Sequence, residues 1–342
     1  MSNPELRPAD RTNHATPRPI ALKGVRIAVT GATGHVGANL VRQLIDAGAT
    51  VRVIVRQDRR AIHGLEVQCF RSSLSDVQGL SEVFYNCRFV FHCAAKVSLN
   101  NRSGDLNTST NVDGTANVLS ACRSAKVKRL IHFSSIAAFH PHPAHEPVHE
   151  LRPPYRGNRD YDRSKAQAEA LVLNAHRKGL DAVIVNPTSI IGPHDFKPSP
   201  GGRFLQALFR GRIPVVPHGS FDWVDVRDVV QGAILAATQG QSGHRYILSG
   251  QQATFRQLGQ IAAGISGRRL GPFVCPDWLM SAALPMLGQL EKARILSPQF
   301  SRQNIERIRN PILVTSNKAN LHLGYTARPL LETMYAAHDW FS

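Results

Sequence analysis

Tyr161 and Lys165 stand four residues apart in Tyr161-Asp162-Arg163-Ser164-Lys165. On a helix that spacing puts both side chains on one face. An ammonium beside a phenol stabilises the phenolate and draws its pKa towards neutrality. A tyrosine tuned in this way can give or take the proton of a carbonyl/alcohol pair. The spacing alone is common by chance, so it needs company. Phe133-Ser134-Ser135 supplies it at the end of a short apolar run, where a serine hydroxyl can hydrogen-bond the same oxygen.

The second constellation is Thr30-Gly31-Ala32-Thr33-Gly34-His35-Val36-Gly37. It lies between an apolar run, Val25 to Val29, that reads as a buried parallel strand and a helix-spaced stretch from Val36 to Ala47. Gly48 ends that helix. In this strand–turn–helix context the three glycines have separate tasks. Gly31 permits the tight turn, Gly34 lets the backbone approach a pyrophosphate, and Gly37 lets helix and strand pack closely. The helix start adds N–H donors and a partial positive charge. Thr33, His35 and Val36 are the remaining candidate contacts. The turn therefore predicts a nicotinamide dinucleotide, and Lys165 can also hold its nicotinamide ribose.

The second predicted strand, Thr50 to Val55, runs into Arg56-Gln57-Asp58. An NAD site places an acid at this strand end, on the ribose 2′-hydroxyl. Arg56 stands there instead and can pair with a 2′-phosphate. NADP(H) is therefore favoured, while Asp58 keeps NAD(H) open. Asp76 either accepts from the adenine amino group or caps the helix after the third strand.

These residues need a frame. Strands are predicted at Val67–Phe70, Phe89–Cys93, Arg129–Ser134 and Ala182–Val185. Helices are predicted at Ser75–Tyr85, Asn107–Ser124 and Tyr161–Lys178. This alternation predicts an α/β fold, a Rossmann doubly wound parallel sheet with a smaller C-terminal substrate-binding lobe. Residues 1–22 read as a flexible tail and 23–190 as the dinucleotide-binding domain. Residues 225–250, with a helix at Val226–Thr238 and a strand at Arg245–Leu248, return to that domain. Residues 191–224, with a helix at Arg203–Arg210, and 251–342 form the smaller lobe.

Composition limits the partners. The 342 residues carry a net charge of +17, yet the basic residues are scattered and form no long run. Aromatic residues are 7% of the chain, too few for a stacking platform. A nucleic-acid partner is not expected, and an anionic small molecule is. No stretch approaches the about 18 apolar residues of a membrane span. The longest, Trp278 to Leu290, reads as core, or as a cover for a hydrophobic substrate. The polar first 20 residues show no signal peptide, and five cysteines without a CxxC pair suit a reducing, cytoplasmic setting. The tract His140-Pro141-His142-Pro143-Ala144-His145-Glu146-Pro147-Val148-His149 follows no standard metal spacing. It reads as a polar loop, with substrate contact as an alternative. No metal site is expected. Asp225 and Asp228 read as caps of the helix at Val226.

In order and spacing the chain resembles the extended short-chain dehydrogenase/reductase family, also called the NAD-dependent epimerase/dehydratase family, over residues 24–342. The motifs are TGATGHVG (30–37), FHCAA (91–95), NVDGT (111–115), FSSIAAF (133–139), YDRSK (161–165), NPTSIIGP (186–193), WVDVRDVV (223–230) and SNKANLHLGYTARPL (316–330). The resemblance implies that Ser135 is the catalytic serine, with Ser134 its neighbour. It implies that Tyr161 is the acid/base, that Lys165 is its partner and that Asn111 orders the site or takes a direct catalytic role. Cys93, Ala94 and Ala95 would border the cofactor, and Pro187, Thr188 and Ser189 the nicotinamide pocket. A homodimer through two helices per subunit is usual in the family.

Two departures narrow the reading. Ile136-Ala137 follow Ser135 where the family's dehydratases have Asp-Glu, so a sugar 4,6-dehydratase is not expected. The acid that its epimerases carry after the second strand is missing, and Val55-Arg56-Gln57 is more similar to the dihydroflavonol-reductase and 3β-hydroxysteroid-dehydrogenase branch. The expected activity is interconversion of a secondary alcohol and a ketone by hydride transfer. A nucleoside-diphosphate-sugar epimerase with the same residues is the alternative, and a dinucleotide sensor without turnover is a third reading.

Overall fold

The structure is a computed structural model that describes residues 22–97, 109–143, 145–267, 273–276, 279, 308 and 311–342. The predicted tail, Leu22 apart, and the apolar run 278–290, Leu279 apart, lie outside the described residues. Leu22 itself is buried, and its N–H donates to Ala47 O at 3.0 Å.

The first half alternates as its apolar runs require. β1 (Arg26–Thr30), α1 (His35–Asp46), β2 (Thr50–Val55), β3 (Val67–Arg71), α2 (Val77–Phe84) and β4 (Phe89–His92) come first. A π turn over Ser109–Asp113, α3 (Gly114–Ser124), β5 (Arg129–Phe133), α4 (Asp160–Arg177) and β6 (Ala182–Pro187) follow. The second half holds β7 (Ser189–Ile191), α5 (Pro200–Phe209), β8 (Val215–Pro217), β9 (Ser220–Asp225), α6 (Val226–Gln239) and β10 (Arg245–Leu248). It ends with β11 (Gln251–Thr254), α7 (Phe255–Ser266), β12 (Phe273–Cys275), α8 (Asn317–Leu323) and α9 (Leu330–Phe341).

The main sheet has the order β10-β6-β5-β4-β1-β2-β3, and its pairs are parallel. Successive side chains of a strand face opposite ways. Ile27 and Val29 accordingly pack under α1 and α6, while Ala28 packs under α2 and α3. Strand order reverses between β1 and β4, and ligands of such sheets bind in the crevice outside that switch point. The glycine turn follows β1, and Cys93-Ala94-Ala95 follow β4, so both line the crevice.

Several elements differ from the sequence reading. The helix predicted over Asn107–Ser124 is not one helix: Ser109–Asp113 forms a π turn ahead of α3. The Gly- and Pro-rich 191–222 is bordered by β7 and β9, where β9 pairs with both β7 and β11 in a second sheet, and it conceals β8, which pairs with β12. Three-residue strands such as β7 and β8 are too short to show a periodicity. A separate core joins Leu205, Phe209, Trp223, Phe255, Leu258 and Met334. Ala319, Leu323 and Tyr325, in the segment assigned to the smaller lobe, pack instead into the core under α1 and α6.

Asp225 caps α6 by accepting from Arg227 N at 2.7 Å. Asp228 does not cap. It binds Arg328, accepting from its backbone N–H and its Nε, both at 2.8 Å. This pairing ties the C-terminal segment to the helix beneath the sheet. Arg328→Ala leaves a buried carboxylate without its cation and is expected to cost about 3 kcal/mol of unfolding free energy. Denaturant melts check this, and a loss below about 0.5 kcal/mol would contradict the assigned role.

Candidate active site

The nucleotide turn is shaped by two approaches closer than a side chain allows. Gly31 has φ 73°, and a Cβ there would sit 2.6 Å from Ala94 N. A Cβ on Gly37 would sit 2.1 Å from Gly31 O. Gly34 is the N-cap of α1, donating to Gly31 O at 3.0 Å. The N–H groups of His35, Val36 and Gly37 then lie in the first turn, where a helix has no internal acceptors for them. The His35 side chain turns away from this edge: its Nε2 lies 3.1 Å from Pro193 O, and burial lowers its pKa, so the neutral ring donates there. Only the backbone of His35 is left for a phosphate.

Beyond Thr33 a cleft of about 530 Å³ opens along the ends of β2 and β3. Arg56, Arg71 and Lys197 bring three cations to it, with Ser72 and Ser73 beside them. Arg56 is exposed and has no ion pair among the described residues. Asp58 is engaged by Arg60 and Lys197, and the Arg60 hydrogen bonds hold its carboxyl well below the usual range. Asp76 takes the capping alternative: its Oδ1 accepts from Gly79 N at 2.9 Å at the start of α2.

Lys165 and the Ser134-Ser135 pair meet at the carboxyl edge of β5, and Tyr161 lies one turn before Lys165 in α4. Lys165 is buried in α4, and its Nζ donates to Phe133 O at 2.9 Å, one residue before Ser134-Ser135. Burial draws its pKa down to about 8, against the pull of Glu169. Tyr161 stands half-buried in the first turn of α4. Ser135 starts a short 3-10 turn at Ile136; its Oγ accepts from Ala137 N at 3.2 Å and its carbonyl from Asn186 Nδ2 at 3.1 Å. The hydroxyl proton of Ser135 thereby remains a donor. Ser134 is buried, its N–H donating to Val185 O, beside Glu169. Glu169, raised in pKa by burial, also takes Asn186 Nδ2 and Arg245.

Asn111 braces this arrangement. Its Nδ2 donates to Ser164 Oγ at 3.0 Å and to Lys96 O at 3.1 Å, and its Oδ1 accepts from Lys96 N at 2.8 Å. It thus joins the segment after β4 to the helix of Tyr161. Thr188 spends its hydroxyl on Asp222 Oδ1 at 2.6 Å, between Pro187 at the end of β6 and Ser189 at the start of β7. Cys93 is held by its N–H on Thr30 O, and burial pushes its thiol pKa up, so it is inert.

Four residues passed over in the sequence complete the frame. Thr115 gives its one hydroxyl proton to Asn111 O at 2.6 Å, so it accepts from His92 Nε2 at 3.1 Å. His92 Nδ1 must then accept from Thr30 Oγ1 at 2.7 Å, and Thr30 Oγ1 accepts from Ala94 N at 3.3 Å. Burial drives the His92 pKa to about 3, which keeps the ring neutral and this proton order fixed. Arg71 could have been noticed as a cation at a strand end. Lys197 carried no local signal, because only the fold brings it to Asp58.

In the histidine tract, Arg152 donates to the carbonyls of His142, Pro143 and Glu146 at 2.6, 3.1 and 2.9 Å. Those bonds hold the loop by its backbone. Among the described residues, no three His, Cys, Asp or Glu side chains gather as a metal would require. Nor is any described helix long and apolar enough to cross a membrane.

A parallel sheet of this order, with a glycine turn at its switch point, defines a Rossmann-like α/β protein. Within that class, the chain belongs to the NAD dependent epimerase/dehydratase family, matched over residues 27–249. It is 33% identical to sterol demethylase protein B of Methylococcus capsulatus, across 92% of this chain and 97% of that protein. It is 30% identical to the 4-hydroxy-2-methyl-3-oxo-4-farnesyl-3,4-dihydroquinoline-1-oxide ketoreductase of Stigmatella aurantiaca, across 89% of this chain and 92% of that one. Among solved structures, gox2253 matches at 31% identity with a TM-score of 0.80, across 93% of this chain and 98% of that chain. The family's group is NAD(P), and the free N–H groups of His35, Val36 and Gly37 at the start of α1 fit its pyrophosphate.

Proposed function

We propose that the protein is an NADP(H)-favouring oxidoreductase that interconverts a secondary alcohol and a ketone. The observation that carries this reading is the buried Lys165–Phe133 bond, which fixes the Tyr161 helix against the strand end that presents Ser135. Ser135 Oγ–H donates to the substrate oxygen. Tyr161 gives that oxygen its proton in reduction and takes it back in oxidation. Lys165, as an ammonium, stabilises the phenolate that Tyr161 becomes. Bound at the glycine turn, the nicotinamide would supply the hydride chemistry at the carbonyl carbon that Ser135 and Tyr161 position. Gly31, Gly34 and Gly37 would hold its pyrophosphate, and Arg56 with Arg71 would meet a 2′-phosphate.

The relatives support the reductase form of this reading. One is named a ketoreductase, and the names of both curated relatives contain a sterol or a farnesyl group. A bulky apolar ketone is therefore the substrate class we favour. A nucleoside-diphosphate-sugar epimerase would use the same Ser, Tyr and Lys, but the acid expected beside its NAD ribose is here Arg56.

Tyr161→Phe is expected to lower kcat for ketone reduction at least about a hundredfold, while the Kd of NADPH stays within about threefold. Wild-type turnover in this variant would contradict the mechanism. Arg56→Ala is expected to weaken NADPH about tenfold or more and to leave NADH nearly unchanged, since a charge-assisted bond to phosphate is lost. Fluorescence titration reads both, and equal weakening of the two coenzymes would remove the phosphate assignment.

A further inference from the structure

The segment between β7 and α5 crosses to the mouth of the Arg56 cleft, and its course is fixed on α1. Pro193 O accepts from Asn39 Nδ2 at 3.0 Å. The Arg42 guanidinium lies 5.3 Å above the Phe196 ring, and Trp340 meets the same ring edge-on at 4.7 Å. Asp195 Oδ2 accepts from Ser199 N at 2.8 Å. Lys197, between these anchors, is delivered beside Asp58 with Nζ 3.1 Å from Oδ2.

Asp58 is then saturated. Its Oδ1 accepts from Arg60 N and Arg60 Nε, both at 3.1 Å, and its Oδ2 accepts from Arg60 Nη2 at 2.9 Å and from Lys197. A carboxylate offers about four lone-pair sites, and four donors fill them. Among the described residues, Asp58 is also the one acidic side chain lining the cleft. An acid near this strand end is what an NAD site uses to hold the ribose hydroxyls. Asp58, two residues past the position that Arg56 takes, is such an acid but is occupied.

We infer that Lys197 is a coenzyme-specificity residue: by completing the ring of donors round Asp58, it withholds this carboxylate from the ribose hydroxyls of NAD(H). Arg56 and Arg71 are left to set the sign of the cleft. That last consequence rests on the NADP(H) reading above, whereas the withholding of Asp58 is read on NADH alone.

The test is the Kd of NADH and of NADPH for the full chain, measured by fluorescence titration. The variants are Lys197→Met and the double variant Arg60→Met/Lys197→Met, each with and without Asp58→Asn. Exposed ion pairs are individually weak, so Lys197→Met is expected to tighten NADH about threefold and the double variant about tenfold. Both gains disappear when Asp58→Asn is added, and retained NADPH binding shows that the variants are folded. NADH affinity unchanged in the first two variants overturns the inference, as does a gain that survives Asp58→Asn. Weakened NADPH with unaltered NADH would make Lys197 a phosphate contact and equally overturn it. Wild-type protein that binds NADH as tightly as NADPH would sink the cofactor reading instead, and the Asp58-dependent gain would still decide this one.

Discussion

The site depends on a backbone contact that only glycine permits. The Gly31 carbonyl packs against Gly37 where a methyl group would overlap it, and a methyl group on Gly31 would overlap Ala94. The first contact starts α1 immediately after β1, with its free N–H groups at the crevice. The second presses together the segments that follow β1 and β4. A larger residue at 31 or 37 would separate these elements and displace the helix dipole from the switch point. The positive φ of Gly31 adds a conformational reason to the steric one.

From that contact a chain of hydrogen bonds runs to the other end of the site. Thr30, next to Gly31, holds His92; His92 holds Thr115; Thr115 holds Asn111; Asn111 holds Ser164 in the helix of Tyr161. The imidazole has one proton order in this path because its environment excludes the charged form. Dinucleotide turn and Tyr161 helix are thus registered through buried side chains as well as through the sheet. Asn111, which the family resemblance placed in the site, bonds Lys96 and Ser164.

The fold class was legible because it obeys local rules, and so was the helix that carries Tyr161 and Lys165. The glycines sit between a buried strand and a helix, and Tyr161 and Lys165 share a helix face. What escaped depends on contacts between distant segments. His92 reads as one more residue of an apolar strand until Thr30 and Thr115 are brought beside it. Lys197 is one basic residue among many until Phe196 is seated between Arg42 and Trp340. The strands β7 and β8 were missed because three residues carry no period. Asp58 and Asp76 were visible as acids, but their partners, Lys197 and the Gly79 N–H, decided what each acid does.

The scattered positive charge has a local counterpart in the cleft beyond Thr33, where Arg56 and Arg71 face a single neutralised acid. That cleft lies beyond the glycine turn at the ends of β2 and β3, and the Lys165–Phe133 bond lies at the end of β5. The most direct measurement follows the hydride itself: NADPH deuterated at the nicotinamide C4 is incubated with the protein and an apolar ketone. The account predicts deuterium on the carbinol carbon and one NADPH consumed for each alcohol formed. A protein that inverts a nucleotide-sugar hydroxyl with no net coenzyme consumption, and leaves ketones unreduced, would contradict it.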